Sequence, residues 1–112
     1  MSFTRSGGTP PPWYTAMPVI QVSSNYAAQV TDYYIGVNGT NVTVTLPLGT
    51  LTYVGKTYVV KDESGQVTPN SAYRFTVAAT SPNLIDASPS VTVTTSYTSL
   101  TFLWTGSFWS II

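Results

Sequence analysis

From Val19 onward the chain is written in short runs that alternate apolar and hydroxyl-bearing residues. Asn41-Val42-Thr43-Val44-Thr45-Leu46 is the cleanest of them. Successive side chains of a strand point to opposite faces, so this spacing puts Val42, Val44 and Leu46 on one side and Asn41, Thr43 and Thr45 on the other. Ser90-Val91-Thr92-Val93-Thr94 repeats the pattern, and Tyr73, Phe75 and Val77 oppose Arg74 and Thr76 in the same way. In the carboxyl-terminal stretch, Leu100, Phe102 and Trp104 face one way and Ser99, Thr101 and Leu103 the other. A short turn at Thr105-Gly106-Ser107 then leads into Phe108-Trp109-Ser110-Ile111-Ile112, with Gly106 where a tight reversal needs positive φ.

Turn formers cut these runs apart: Ser23-Ser24-Asn25, Asn38-Gly39, Asp62-Glu63-Ser64-Gly65, Pro69-Asn70-Ser71 and Ser81-Pro82-Asn83. Asn38-Gly39 carries a strong hairpin signal, and Asp62 to Gly65 suits an exposed, charged tip. Leu51-Thr52-Tyr53-Val54 reads as a strand ending at Gly55. No long helical segment is visible, which argues against α/β folds. The expected fold is all-β: a β-sandwich or jelly-roll-like barrel of about eight short antiparallel strands, with an extended N-terminal arm.

That arm covers residues 1–20, and residues 21–112 form a single all-β domain. Gly7-Gly8 is permissive, whereas Pro10-Pro11-Pro12 favours a stiff polyproline rod and Pro18 interrupts any helix. Polyproline segments lie well on aromatic surfaces of a partner. At the other end, the side chains of Ile111 and Ile112 call for cover from the core or from a neighbouring subunit.

Charge narrows the function classes. Charged residues are 7% of the chain, against about 25% in an ordinary domain, and the net charge is zero. Nineteen Thr and thirteen Ser supply the polar surface instead, which again favours sheet. Weak self-repulsion suits a component of an assembly better than a concentrated free monomer. Without a basic cluster, nucleic acid is not an expected partner. Without a long apolar run, neither is a membrane. The first eight residues lack the apolar segment of a secretion signal.

The chain holds no His and no Cys, so it lacks an imidazole base, a thiol nucleophile and soft metal ligands. Asp32, Asp62, Glu63 and Asp86 are its only side-chain carboxylates. None is paired in a way that suggests acid-base work, and a calcium site built on Asp62 and Glu63 would need four or more further oxygens. The reading is a non-enzyme with no cofactor and no metal. Trp and Tyr dominate protein interfaces because they bury much area and keep a polar contact, and they also stack on sugars. Pro10, Pro11, Pro12, Trp13 and Tyr14 are therefore the candidate partner-binding residues. Trp104, Phe108, Trp109, Ile111 and Ile112 are the candidates for subunit packing or core.

The succession Asp32-Tyr33-Tyr34-Ile35-Gly36-Val37, Val42-Thr43-Val44-Thr45-Leu46-Pro47 and Gly55-Lys56-Thr57-Tyr58-Val59-Val60-Lys61-Asp62-Glu63-Ser64-Gly65 resembles a β-rich structural module of tailed-bacteriophage virions. The ending resembles it too, from Tyr97 to Trp104 and then Gly106, Trp109, Ile111 and Ile112. The resemblance covers about residues 30–112. It departs between 66 and 90, where Leu84-Ile85-Asp86-Ala87-Ser88 lacks the family's glycine after Ile-Asp.

The resemblance implies a homotrimer or other symmetric assembly, no cofactor and no catalysis. A module standing almost alone behind a short arm suits a capsid decoration or cement protein. Its partners would be the major capsid protein or other virion proteins, with the arm carrying capsid contact. The alternative location is a tail fibre, spike or baseplate that attaches to host receptor or glycan.

Overall fold

The structure, a computed structural model, describes residues 16–112. Pro10, Pro11, Pro12, Trp13 and Tyr14 therefore lie outside the described residues.

Among the described residues nine strands follow in chain order: β1 (Val19–Val22), β2 (Tyr26–Ala27), β3 (Tyr34–Val37), β4 (Thr43–Thr45), β5 (Thr57–Asp62), β6 (Phe75–Ala78), β7 (Ser90–Val93), β8 (Ser99–Trp104) and β9 (Trp109–Ile111). They form two open sheets, one of five strands in the order β1-β3-β5-β8-β9 and one of four in the order β2-β4-β6-β7. The fold is all-β, but it is not the sandwich or jelly-roll-like barrel of antiparallel strands expected above. β1, β3 and β5 run parallel, as do β2, β4 and β6. Only β5-β8, β8-β9 and β6-β7 pair antiparallel.

The difference has a physical source. Alternation fixes which face of a strand is buried, and says nothing about which strand lies beside it. Parallel neighbours need a long crossover, usually a helix. Here the crossover between two parallel strands of one sheet is itself a strand of the other sheet, so the chain shuttles from sheet to sheet through β6. Asn38-Gly39 accordingly makes no hairpin. The Asn38 N–H donates to the Val22 carbonyl at 2.9 Å. Gly39 presses on Ser23, where a Cβ would come within 2.3 Å of the carbonyl oxygen. The glycine serves a close approach of backbones, and the left-handed residue of this turn is Asn41, at φ +53°.

One apolar core takes side chains from both sheets. Ile35, Val37, Tyr58, Val60, Phe102 and Trp109 come from the five-stranded sheet, and Val44, Phe75, Val77 and Val93 from the other. Tyr58 and Trp104 flank Trp109 with ring centroids 5.6 and 5.3 Å away, both tilted, a geometry that aromatic quadrupoles favour. The terminal hairpin β8-β9 turns through Gly106 at φ +103°. The outer edge of β9 is covered rather than bare: the Trp109 N–H donates to the Leu84 carbonyl at 2.9 Å and the Asp86 N–H to the Trp109 carbonyl at 3.0 Å.

Candidate functional site

The parallel run of β1, β3 and β5 brings three sequence-distant segments to one end of the molecule: Met17-Pro18, Val30 to Tyr33, and the loop from Leu48 to Lys56. The loop is not the strand that Leu51-Thr52-Tyr53-Val54 suggests. A single 3-10 turn, Gly49–Leu51, opens it. It closes through Gly55 at φ +91°, where the Gly55 N–H donates to the Trp104 carbonyl at 2.8 Å. Between these anchors Leu51, Tyr53 and Val54 stand 68%, 90% and 73% exposed.

The loop is exposed but held. Its first turn is fixed by the Gly49 N–H donating to Asn83 Oδ1 at 2.7 Å and by the Thr52 hydroxyl donating to the Gly49 carbonyl at 2.7 Å. Gly49 lies flat against the Trp104 indole, so close that a Cβ would sit 2.3 Å from three ring carbons. The nearly buried Trp104 thus works as the floor of the loop. Three large apolar side chains presented by a fixed backbone form a surface that a partner can cover at little ordering cost.

Two shallow hollows adjoin along this end. Val30, Leu51, Thr52 and Tyr53 line one, Met17, Pro18, Thr31 and Tyr33 line the other, and Lys56 walls both. The Lys56 ammonium donates to the Asp32 carbonyl and lies 4.6 Å from the centroid of the Tyr58 ring. Partial burial of the ammonium lowers its pKa, against a smaller opposite pull from the Asp32 carboxylate. That carboxylate is itself engaged, accepting from the Tyr26 hydroxyl at 2.5 Å and the Gln29 N–H at 2.8 Å. Burial first, and then the bond to Asp32, push the Tyr26 phenol up to about 12. Tyr58, whose hydroxyl donates to the Gln29 carbonyl at 2.8 Å, is raised to about 12 by burial and by the nearby Asp32 charge. The cluster braces the segment that carries Val30.

The carboxyl-terminal candidates divide. Trp104 and Trp109 are inside the chain's own core, and Ile111 is half-buried against it. Phe108 is partly exposed, and Ile112 projects 70% exposed although its N–H donates to the Thr101 carbonyl at 3.0 Å. Sequence reasoning missed Leu51, Tyr53 and Val54 as surface residues. The available signal was their bracketing by Gly49 and Gly55, which marks a loop better than a strand interior.

Asp62 also differs from expectation. It is 1% exposed, the one buried charged residue among the described residues, and not part of a solvated tip. Its carboxylate accepts from the Ser64 N–H at 2.9 Å, the Ser64 hydroxyl at 2.7 Å, the Gly65 N–H at 3.0 Å and the Tyr97 N–H at 2.9 Å. Burial raises the carboxyl pKa, but these donors, led by Tyr97, outweigh it and hold the group below its ordinary value. This is a structural tie between the end of β5 and the turn before β8. Glu63 leaves the turn to accept from the Tyr34 hydroxyl on the outer face of the sheet. No group of three or more potential acidic, His or Cys ligands converges among the described residues. No helix among them is long and apolar enough to cross a membrane.

A third hollow differs in chemistry. On the outer face of the four-stranded sheet, Asn41, Thr43, Arg74, Thr76 and Thr92 surround a polar depression. The Arg74 guanidinium donates to the Pro69 carbonyl at 2.7 Å, which tethers its charge at the rim. No family model matches the chain, and no curated protein shows significant sequence similarity to it.

Proposed function

We propose that this protein is a non-enzymatic structural component of a virion. In this reading it is a decoration or cement protein that binds a capsid shell as a homotrimer and contacts the major capsid protein or other virion proteins. The observation that carries the assembly part is the apolar end surface of Leu51, Tyr53, Val54, Val30 and Met17 on a rigid frame. Covering a fully exposed side chain of the Leu or Val class is worth about 1.5–3 kcal/mol before association costs. Zero net charge leaves little to oppose contact between copies. The virion part rests on the order of the strand and turn motifs between Asp32 and Ile112.

Mixing the purified protein with assembled tailed-phage shells, followed by co-sedimentation and imaging at subunit resolution, tests this. Ordered density for repeated trimers on the shell is the expected result. A protein that stays monomeric at high concentration and leaves shells undecorated refutes it. The polar hollow around Arg74 supports a second reading, attachment to host glycan from a tail fibre, spike or baseplate. Hydroxyls and one tethered cation suit a sugar, and specific retention on a glycan array lost in Arg74→Ala would favour that reading.

A further inference from the structure

Asn38-Gly39 makes no hairpin in this fold, and it is the sole Asn-Gly pair among the five asparagines of the chain. The Asn38 side chain is exposed. Neither its amide nor the Gly39 N–H forms a hydrogen bond among the described residues. A glycine in the next position also leaves its backbone nitrogen unshielded, because it has no Cβ.

The other four asparagines are held or shielded. Asn25 Oδ1 accepts from the Thr43 N–H at 2.8 Å, and Asn83 Oδ1 from the Gly49 N–H at 2.7 Å. After Asn70, the Ser71 N–H is engaged, donating to the Thr68 carbonyl at 3.1 Å. Asn41 is followed by Val42, which is buried and branched at Cβ.

We infer that Asn38 is a modification site, whose side chain deamidates spontaneously in the folded protein to give aspartate and isoaspartate. The Gly39 backbone nitrogen gives its proton to solvent base and attacks Asn38 Cγ. The new N–Cγ bond forms, the Cγ–Nδ2 bond breaks, and ammonia leaves. Water then opens the five-membered imide at either carbonyl. One opening restores the main chain and gives aspartate. The other routes the main chain through Cβ and Cγ and gives isoaspartate.

The isoaspartate product acts on the fold. The Asn38 N–H is held by the Val22 carbonyl at 2.9 Å, and Gly39 is seated so closely on Ser23 that a Cβ would lie 2.3 Å from its carbonyl oxygen. Isoaspartate inserts one methylene into the main chain between these two contacts. Both can no longer stay in register with Val22-Ser23, so the end of β1 loses part of its tie to β3. Aspartate leaves the main chain at its native length and keeps both contacts.

The test incubates the folded wild-type protein in mildly alkaline buffer and follows it by ion exchange and peptide mapping. Four cationic and four anionic side chains cancel, so each conversion takes the net charge from zero to −1 and shifts elution. Asn38 should convert at least about tenfold faster than each of the other four, a barrier lower by about 1.4 kcal/mol. Methylation by an isoaspartyl methyltransferase marks the isoaspartate. Hydrogen exchange at residues 19–23 should rise in the isolated isoaspartate form and stay at the wild-type level in Asn38→Asp. Asn38→Gln, which would need a six-membered imide, should abolish the fast conversion. Equal rates at all five asparagines overturn the site, as does a fast rate that appears only in protein unfolded by urea. Unchanged exchange at residues 19–23 in the isoaspartate form overturns the effect on β1.

Discussion

Replacing Asp62 by Asn removes one charge and reverses the polarity of one atom in a nearly isosteric side chain. In the native protein one carboxylate oxygen accepts from the Ser64 N–H and hydroxyl, and the other from the N–H groups of Gly65 and Tyr97. An amide oxygen can keep the Gly65 and Tyr97 pair, and the Ser64 hydroxyl can rotate to accept from the NH2 group, so the Ser64 N–H loses its acceptor. A hydrogen bond to a charged group contributes about 1.5–3 kcal/mol and a neutral one about 0.5–1.5 kcal/mol, so one lost and the others weakened to neutral strength at a buried site cost about 3 kcal/mol. Unfolding entropy near 2.1 cal/mol/K per residue gives about 0.24 kcal/mol/K for this chain, and the melting temperature should fall by about 13 °C at pH 7.

The pH dependence supplies an independent check. A carboxyl whose folded pKa is depressed contributes stability that is present above the unfolded value, near 3.9, and lost as pH falls through the folded value. The gap between wild type and Asp62→Asn should therefore narrow below about pH 4. Thermal melts followed by circular dichroism from pH 7 to pH 2 measure both effects. A loss under about 1 kcal/mol at neutral pH, or a gap that does not change with acid, would show that Asp62 is not the charged acceptor at the centre of this turn.

Gly49→Ala should cost about 1–3 kcal/mol or more by driving a methyl into the Trp104 ring, and it should loosen the loop that carries Leu51 and Tyr53; hydrogen exchange across residues 48–56 reads the loosening, and unchanged protection contradicts it. Leu51→Ser with Tyr53→Ser should change the melting temperature by less than about 2 °C, since both residues are exposed, while self-association measured by light scattering falls; a large melting change would place these residues in the core instead. Tyr26, Tyr34 and Tyr58, all raised to about 12, stay protonated in the fold while the unfolded chain ionises near 10, so stability should be lost as pH rises from 10 towards 12. Absorbance at 295 nm should then show three of the eight tyrosines ionising late or together with unfolding; eight that ionise together below pH 11 with the fold intact would refute this.

Strand faces were legible in the sequence because burial is a local, period-two signal. Val42, Val44, Leu46, Phe75, Val77, Phe102 and Trp104 all point into the core as their alternation predicts. Neighbour choice was not legible. Asn38-Gly39 has the composition of a hairpin turn, but the identity of the strand beside β3 is decided by β1 and β5 pairing across the sheet, which no local pattern records. Asp62 was misread for a related reason. A charged residue in a turn is normally solvated, and only the distant Tyr97 N–H, thirty-five residues on, completes the set of donors that lets it be buried. The candidate surface was hidden because Leu51 and Tyr53 have strand-like side chains in a segment whose two bracketing glycines make it a loop.

The topology explains why one end of this molecule gathers the apolar surface. In a meander of hairpins, the segments leading into successive strands would alternate between the two ends of a sheet. In a parallel run they fall at the same end, so Met17-Pro18, Val30 to Tyr33 and Leu48 to Lys56 become neighbours although residues of the other sheet separate them in sequence. β8 runs antiparallel to β5 and therefore delivers Trp104 and the Gly106 turn to that end as well. The opposite end holds the buried Asp62 carboxylate, tied by hydrogen bonds from Ser64, Gly65 and Tyr97. Side-chain substitutions in the three leading segments can reshape the candidate surface without altering a ladder hydrogen bond, whereas the Asp62 turn cannot change without loosening β5 from β8. The candidate surface and the Asp62 tie thus sit at opposite ends of the same parallel strands.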